Sequence, residues 1–261
     1  MSVVKSGLLN LGWRLKSALE SKAYYIVNRV KCYFCMEESQ PSKSRDVLSD
    51  RLLLAYLIYK ARARDLGKTK IQKLVYFIQS ELAEQNIKTF DYDFEKWYWG
   101  PYAKDMNDDL NELRACNVLT AKVSHRDRNR DSIFSRINEF YEITDNGKEI
   151  IEETRELFEE NKVLMQKIDA ILQKYDMVPL RQIEDDVHDR KIDSGRRAVR
   201  IKDLHNGTKL AVRVMDAGNR LKMDDDWKET FCILFDRDEC KSHNAGLRDA
   251  QEGRFSTYEV G

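Results

Sequence analysis

The chain has 261 residues, of which 42% are hydrophobic and 34% charged, and its 45 basic and 45 acidic residues cancel to zero formal charge. This length accommodates one sizeable core with an appendage, or two modest domains, and the presence of only three prolines favours long helices. Neutrality removes the simplest electrostatic argument for a nucleic-acid-binding protein, although a local basic patch can still bind DNA. The sequence contains no run of about 18 apolar residues, so no transmembrane helix is predicted and no membrane partner is expected.

The N-terminal part, residues 1–45, is predicted to be a helical extension ending in a polar linker. Its large apolar residues are interrupted by basic ones, which is not the pattern of a secretory signal peptide. We expect this helix to pack on the body of the chain or on a second copy. The five cysteines are an odd number, which predicts free thiols in a reducing, cytoplasmic compartment. The pair Cys32 and Cys35 lacks two further ligands at suitable spacing, so no metal site is predicted.

Two helices are predicted after this linker. Asp46 or Ser49 is the expected cap of the first helix, which should end near Gly67. Thr69 is the expected cap of the second. Apolar residues follow helical spacing in both. They are Leu52, Leu53, Tyr56, Leu57 and Tyr59 in the first helix, and Ile71, Leu74, Val75, Ile78 and Leu82 in the second.

The next segment predicts a short strand, because Phe90, Tyr92 and Phe94 alternate with acidic residues. Gly100 permits a bend. Pro101 suits the first position of the following helix, because its missing N–H would have no partner there. That helix is predicted to bury one set of residues and to turn an acidic set toward water. The buried set is Tyr102, Met106, Leu110 and Leu113, and the acidic set is Asp105, Asp108, Asp109 and Glu112.

Strands are predicted at 118–123 and 133–143, around a charged turn, and a long helix follows. Two sets of apolar residues recur in this helix every seven positions, which predicts burial along two seams, against the body or against a second copy. A homodimer through the 146–176 helix is therefore possible. Thr154 and Asn161 fall between the seams, where a polar residue can set the register. The seam residues are Ile150, Leu157, Leu164, Ile171, Ile151, Phe158, Met165 and Leu172.

The C-terminal part changes character after a shorter helix predicted at 180–192. Short strands are predicted at 198–201, 209–214 and 230–235, with a turn at Asn206–Gly207. The predicted fold class is mainly α with a small antiparallel sheet (α+β). It consists of a helical domain at 46–192 with a winged-helix-like hairpin, and a small C-terminal α/β appendage at 193–261.

Two separated pieces of this sequence resemble a known family. They are KTKIQKLVYFIQSEL at 68–82 and FDYDFEKWYWGPYAKDMNDDLNEL at 90–113. The combination of K-x-Q-K-L-x-Y-F-x-Q, an aromatic strand, W-x-x-G-P and an acidic helix resembles the Panacea domain of SocA-like antitoxins, and is similar to YwgA-like bacterial proteins. The resemblance covers roughly residues 50–160. It implies a helical scaffold with a short sheet that neutralises a genetically linked toxin by direct protein–protein binding, in a prokaryotic or phage toxin–antitoxin system.

Two groups of apolar residues are candidates for binding such a toxin. The tail AGLRDAQEGRFSTYEV at 245–260 resembles the C-terminal segments of small bacterial antitoxins, and it is either a partner-binding strip or an ordinary frayed end. At the glycine–proline bend, the four aromatic residues Trp97, Tyr98, Trp99 and Tyr102 form either an exposed anchor or part of the core. The pattern favours the core, with Trp97 inside. The candidate partner-binding residues are Trp99, Tyr102, Leu247, Phe255, Tyr258 and Val260.

Other functions remain alternatives. The predicted hairpin resembles the wing of a winged-helix transcriptional regulator, whose tip residues Arg126, Arg128 and Arg130 would contact DNA phosphates. The acidic helix before the hairpin argues against that. A protease adaptor fits the same residues. The sequence has four scattered histidines and neither a Gly-rich phosphate loop nor a nucleophile elbow, so no catalytic residue, cofactor or enzymatic activity is predicted. The acidic group around Asp185 and His188 is expected to be a solvated face.

Overall fold

The computed structural model describes residues 45–63, 66–125, 137–193, 198–210 and 220–252. These residues form a mainly helical α+β fold with small antiparallel sheets, as predicted. The helices are α1 (Val47–Lys60), α2 (Lys68–Ala83), α3 (Lys104–Ala115), α4 (Asp145–Glu153), α5 (Arg155–Glu160), α6 (Lys162–Tyr175), α7 (Leu180–Asp189), α8 (Asp225–Phe235) and α9 (Arg237–Gln251). The strands are β1 (Phe94–Trp97), β2 (Gly100–Tyr102), β3 (Leu119–His125), β4 (Ile137–Ile143), β5 (Lys191–Asp193), β6 (Ala198–Arg200) and β7 (Lys209–Leu210).

Helices α1 and α2 form the centre of the fold, and both bury most of their side chains. Asp46 caps α1 as predicted, because its carboxylate accepts a hydrogen bond from the Ser49 N–H. The first helix ends at Lys60, well before Gly67. The prediction that Thr69 caps α2 is wrong. The helix starts one residue before Thr69, after Gly67, whose extended backbone forms a bridge to the hairpin strand β4.

The sheet that contains the aromatic segment has the order β2-β1-β7. Phe90, Tyr92 and Phe94 are all buried, as their pattern indicates, but the strand begins only at Phe94. The reason is that the backbone N–H groups before Phe94 bond to side chains and not to a neighbouring strand. The Asp91 N–H donates to the Asp50 carboxylate, and the Tyr92 N–H donates to the Gln79 side chain.

The bend at Gly100 connects two strands and does not open a helix. Pro101 and Tyr102 belong to β2, and α3 begins two residues after Tyr102, so the prediction of Pro101 as the first helical residue is wrong. Pro101 is tolerated because β2 is an edge strand, where one side of the backbone needs no ladder partner. The other buried residues predicted for this helix, Met106, Leu110 and Leu113, do lie inside α3.

The predicted hairpin is present as β3 and β4, paired from Leu119↔Ile143 to His125↔Ile137. The predicted single long helix is in fact three helices, α4, α5 and α6, separated at Thr154 and Asn161. Both polar residues are buried. Thr154 Oγ1 donates to the Ile150 carbonyl, and Asn161 exchanges two hydrogen bonds of 2.7 and 2.9 Å with the backbone of Lys222. The Asn161 side chain therefore attaches a distant segment of the chain to the junction of α5 and α6, while its backbone keeps the helical bonds to Leu157 and Met165.

Both seams of these helices face the body of the same chain. Seven of the eight seam residues are buried and Phe158 is half-buried, with its ring 4.8 Å from that of Tyr56 on α1. They are therefore not free to form the homodimer interface that the heptad spacing left open.

The predicted strand at 230–235 is wrong, because this segment lies in α8. Asp224 caps the helix by accepting a hydrogen bond from the Trp227 N–H. Trp227, Phe231 and Phe235 recur every four residues, and their stacked rings are separated by 5.6 and 5.1 Å.

The residues on both sides of the expected boundary at 192–193 share one core and one sheet. Helix α8 packs on α1, and strand β7 pairs with β1. Within the described ranges, no helix is long and apolar enough to cross a membrane.

Candidate protein-binding site

The turn between β1 and β2 presents three aromatic side chains to solvent. Trp97, Tyr98 and Trp99 are 41%, 73% and 54% exposed, and we call these three residues the aromatic tip. Burial of the tip, and of Trp97 in particular, is therefore a wrong prediction. The reason is the hairpin register, which pairs Trp97 with Gly100 and leaves Tyr98 and Trp99 beyond the last pair. Tyr102 lies farther down the hairpin and is half-buried, and its hydroxyl accepts a hydrogen bond from Asn107.

Gly100 closes the turn in a conformation that other residues rarely adopt. Its φ is +90°, in the left-handed region that favours glycine. A Cβ at this position would also lie 3.2 Å from Val187 Cγ1 and 3.3 Å from His188 Nε2, both on α7. The turn therefore rests directly on α7, and this close approach fixes where the aromatic tip projects.

Polar side chains of α2 hold the two arms of the hairpin. Gln72 exchanges hydrogen bonds of 2.8 and 2.9 Å with the backbone of Ala103, and Gln79 exchanges bonds of 2.9 and 3.3 Å with the backbone of Tyr92. Lys73 Nζ donates to the Pro101 carbonyl at 2.8 Å. All three side chains come from the K-x-Q-K-L-x-Y-F-x-Q segment, so the two separated pieces of sequence on which the family resemblance rests are in direct contact.

A buried cluster of charged residues anchors the arm that leads into β1. Asp109 on α3 accepts hydrogen bonds from Arg45, from Arg51 Nε at 3.0 Å and from the Tyr92 hydroxyl at 2.8 Å. Asp50 accepts from Arg45 Nε at 2.7 Å. The prediction that Asp109 faces water is wrong, because it is nearly fully buried against the two arginines.

The electrostatics of this cluster follow from its burial. Burial raises the pKa of Asp50 to about 7, and the Arg45 charge and the Asp91 N–H offset part of that rise. Burial, with the nearby carboxylates, also raises the pKa of Tyr92 well above its ordinary value, so its hydroxyl remains a donor to Asp109. Arg51 additionally donates to the Phe235 carbonyl at the end of α8. The cluster thus joins α1, α3, α8 and the hairpin arm.

Lys73 carries a charge into a separate buried position, beside the Pro101 carbonyl. Burial lowers its pKa from 10.5 to about 8, and Glu184 offsets part of the shift. The unfolded chain therefore binds more protons than the folded one between about pH 8 and 10.5, and stability rises with pH in that window.

This shift predicts a measurable pH dependence. Between about pH 8 and 9.5, the free energy of unfolding of the native chain should rise by about 1.5 kcal/mol more than that of Lys73→Met, which has no titrating group there. Denaturant titrations of both proteins across this range measure the difference. Parallel profiles for the two proteins would contradict the lowered pKa of Lys73 in the folded chain.

Other candidate residues are not brought to this site. Several of them lie outside the described residues. These are the arginines of the β3–β4 turn, Arg126, Arg128 and Arg130, the tail residues Phe255, Tyr258 and Val260, and the cysteines Cys32 and Cys35. Leu247 is part of α9, but its side chain is not among those that the structure describes. In the part of the chain that the structure describes, no group of three His, Cys, Asp or Glu residues is placed to hold a metal ion.

Sequence reasoning identified the aromatic residues but missed their supports. Gln72, Lys73 and Gln79 interrupt the mostly buried helix α2, and polar residues at such positions are usually hydrogen-bonded. The presence of these polar residues in a buried helix was therefore the sequence signal for their role as supports. For Asp109 the signal was its helical spacing, three residues after Met106 and four before Leu113, which places it on the buried face, whereas its neighbour Asp108 lies off that face.

Comparisons of the chain with protein-family models, with curated proteins and with solved structures found no match.

Proposed function

We propose that this protein is a non-enzymatic, antitoxin-like protein that neutralises a cognate toxin protein by binding it directly through the aromatic tip. The observation that carries the proposal is the exposure of Trp97, Tyr98 and Trp99 on a turn whose backbone is held from several sides. Large aromatic side chains grouped in water mark interaction surfaces far more often than isolated apolar residues do.

The physical chemistry of the tip suits protein recognition. Tryptophan and tyrosine are enriched among the residues that carry most of the binding energy in interfaces. They also lose little conformational entropy on binding, because each has only two side-chain torsions. The bonds from Gln72 and Lys73, and the contact of Gly100 with α7, hold the hairpin before a partner arrives. Such preorganisation lowers the cost of association.

The resemblance to SocA-like antitoxins supports the choice of a toxin as the partner. The residues that carry the resemblance are the ones that build the support of the tip, namely Gln72, Lys73, Gln79 and the Gly100–Pro101 turn. Leu247 and the tail beyond it are proposed as a second contact with the same partner.

The test is co-expression with the protein encoded next to this chain, followed by affinity measurements on the purified pair. We expect the native chain to restore growth and to co-purify with that protein. Trp99→Ala should weaken binding by about 30-fold or more, the effect of removing an aromatic residue worth about 2 kcal/mol. Val163→Ala is the matched control, because Val163 is an apolar residue on α6 that is 69% exposed.

Several outcomes would overturn the proposal. Equal binding by the native chain and Trp99→Ala would show that the aromatic tip is not part of the interface. A failure to restore growth would show that the neighbouring protein is not a toxin that this chain neutralises. DNA binding at low salt that disappears in the Arg126→Ala/Arg128→Ala/Arg130→Ala variant would favour the winged-helix alternative. Faster degradation of the bound partner would favour a protease adaptor.

A further inference from the structure

Strand β3 begins where the chain reverses at the end of α3. The reversal is made at Asn117, whose φ of +57° lies in the left-handed region, and the Asn117 N–H donates to the Arg114 carbonyl at 3.0 Å. The Val118 N–H donates to the Leu113 carbonyl at 2.8 Å. These two bonds are the usual way in which a helix ends on a left-handed residue. The start of β3 therefore lies beside the last turn of α3.

The register of the β3–β4 hairpin shows which backbone groups of β3 face away from β4. Hydrogen-bonded and non-bonded pairs alternate along an antiparallel ladder. The Thr144 N–H bonds to the Val118 carbonyl, so every second residue from Leu119 onward directs its N–H and C=O to the outer edge of β3. Tyr141, which pairs with Ala121, agrees with this, because its N–H donates away from β3. The outward-facing groups are those of Leu119, Ala121 and Val123.

This outer edge is unpaired in the part of the chain that the structure describes. Among the described residues, none bonds to the outward-facing backbone groups of β3. The other strand edges are shorter or protected, since Gly67 bridges to Phe140 on the outer side of β4 and Pro101 occupies the edge strand β2. Strand β3 has seven residues, and the apolar side chain of Val123 is 51% exposed. An unpaired edge of this length is a template for a further strand.

A basic recess of about 590 Å³ lies beside this edge. Its lining comes from the last turn of α3, from residues 119–121 of β3 and from the start of α9. Among the described residues, this lining includes Arg114 and Arg237 and no aspartate or glutamate. Glu139 and Glu112 approach these two arginines only to 3.7 and 3.6 Å, which is longer than a hydrogen bond. Both guanidinium groups therefore keep N–H donors for another carboxylate.

We propose that the outer edge of β3 and this recess bind an extended, acidic segment of a partner protein, which adds a third strand to the β3–β4 hairpin. The backbone of the segment bonds to the outward-facing groups of β3, and these bonds supply affinity without depending on side chains. Its acidic side chains contact Arg114 and Arg237, and these contacts select an acidic sequence. The surface shares no residue with the aromatic tip and is therefore a second binding surface, which goes beyond the proposed function.

The test uses the full chain and a fluorescent peptide of alternating glutamate and valine, about eight residues long, with blocked ends. It should bind at least about tenfold more tightly than the same peptide with lysine in place of glutamate. Arg114→Ala and Arg237→Ala should each weaken binding of the glutamate peptide by about fivefold. Arg181→Ala is the matched control and should bind like the parent, because Arg181 is an exposed arginine on α7 outside the recess.

Methylated peptides test the added strand itself. Alternate residues of a strand direct their N–H groups to opposite edges. N-methylation of all the glutamates, or of all the valines, should therefore weaken binding by about tenfold in one case and leave it nearly unchanged in the other. Ala121→Pro should also weaken binding by about tenfold with unchanged circular dichroism, because the Ala121 N–H is not used in the ladder with β4.

Four outcomes would overturn the proposal. Equal binding of the glutamate and lysine peptides would remove the role of the arginines, and equal effects of the two methylated peptides would show that no strand is added. Loss of peptide binding in Trp99→Ala would place the peptide at the aromatic tip. A dimer of the chain that Ala121→Pro dissociates would show that a second copy occupies the edge.

Discussion

Asp109→Ala is expected to lower the free energy of unfolding by about 3–5 kcal/mol, because it leaves two largely buried arginines without their shared carboxylate. Arg45 and Arg51 both bond to Asp109, and the Tyr92 hydroxyl donates to the same group. Asp50 compensates only Arg45, so the charge of Arg51 would remain beside α8 with one backbone carbonyl as its partner. Urea titration of both proteins measures the loss.

The adjacent residue provides the control for this experiment. Asp108 has the same side chain on the same helix but is exposed. Asp108→Ala should change stability by no more than about 0.5 kcal/mol, as is usual for surface positions. Equal effects of the two substitutions would show that the buried cluster contributes nothing specific. A loss with Asp109→Ala alone would also weaken the support of the aromatic tip, since Tyr92 lies on the arm that leads to it.

Gly147→Ala is expected to destabilise the fold by about 3 kcal/mol, because there is no room for one more carbon at this position. Gly147 lies in the first turn of α4, where its N–H donates to the capping residue Thr144. An added Cβ would lie 2.2 Å from the Val118 carbonyl oxygen and 2.7 Å from Ile143 Cδ1. The first neighbour is backbone and cannot rotate away, so α4 would have to shift from the hairpin.

Gly246 is the matched position in an open environment. It also lies within a helix, α9, but an added Cβ there meets nothing within 4 Å. Gly246→Ala should therefore stabilise the chain by about 0.5–1 kcal/mol, since alanine loses less backbone entropy than glycine in a helix. Thermal and urea unfolding of the two variants measure both effects. A tolerated Gly147→Ala would contradict the close packing of α4 on Val118 and Ile143.

Much of the fold follows from periodicity along the sequence. The spacing of Ile71, Leu74 and Ile78 determined the helix α2 and its buried face, and the seven-residue repeat determined that α4, α5 and α6 are buried on two sides. The pairing of β3 with β4 was also evident, because alternating segments flank a polar turn. Such patterns report burial reliably, since hydrophobic residues recur at the period of the element that buries them.

Local pattern could not determine which element forms where periods are ambiguous. The run from Thr230 to Phe235 fits a strand as well as a helix when it is considered alone, and the cap at Asp224 with stacking of Trp227 on Phe231 makes it a helix. The same holds for the breaks in the long helix. Asn161 lies at the break between α5 and α6, and its amide bonds to Lys222, a contact between residues far apart in sequence.

The candidate site depends most on tertiary structure. The sequence by itself determined that aromatic residues surround a glycine–proline bend, and that polar residues interrupt α2. Only the tertiary structure decided that Trp97, Tyr98 and Trp99 point to solvent, that Gln72 and Gln79 bond to the hairpin backbone, and that Arg45 and Arg51 meet at Asp109. The physical reason is that exposure and hydrogen-bond partners depend on which distant segments pack together, and a residue's type and position along the chain do not specify its neighbours.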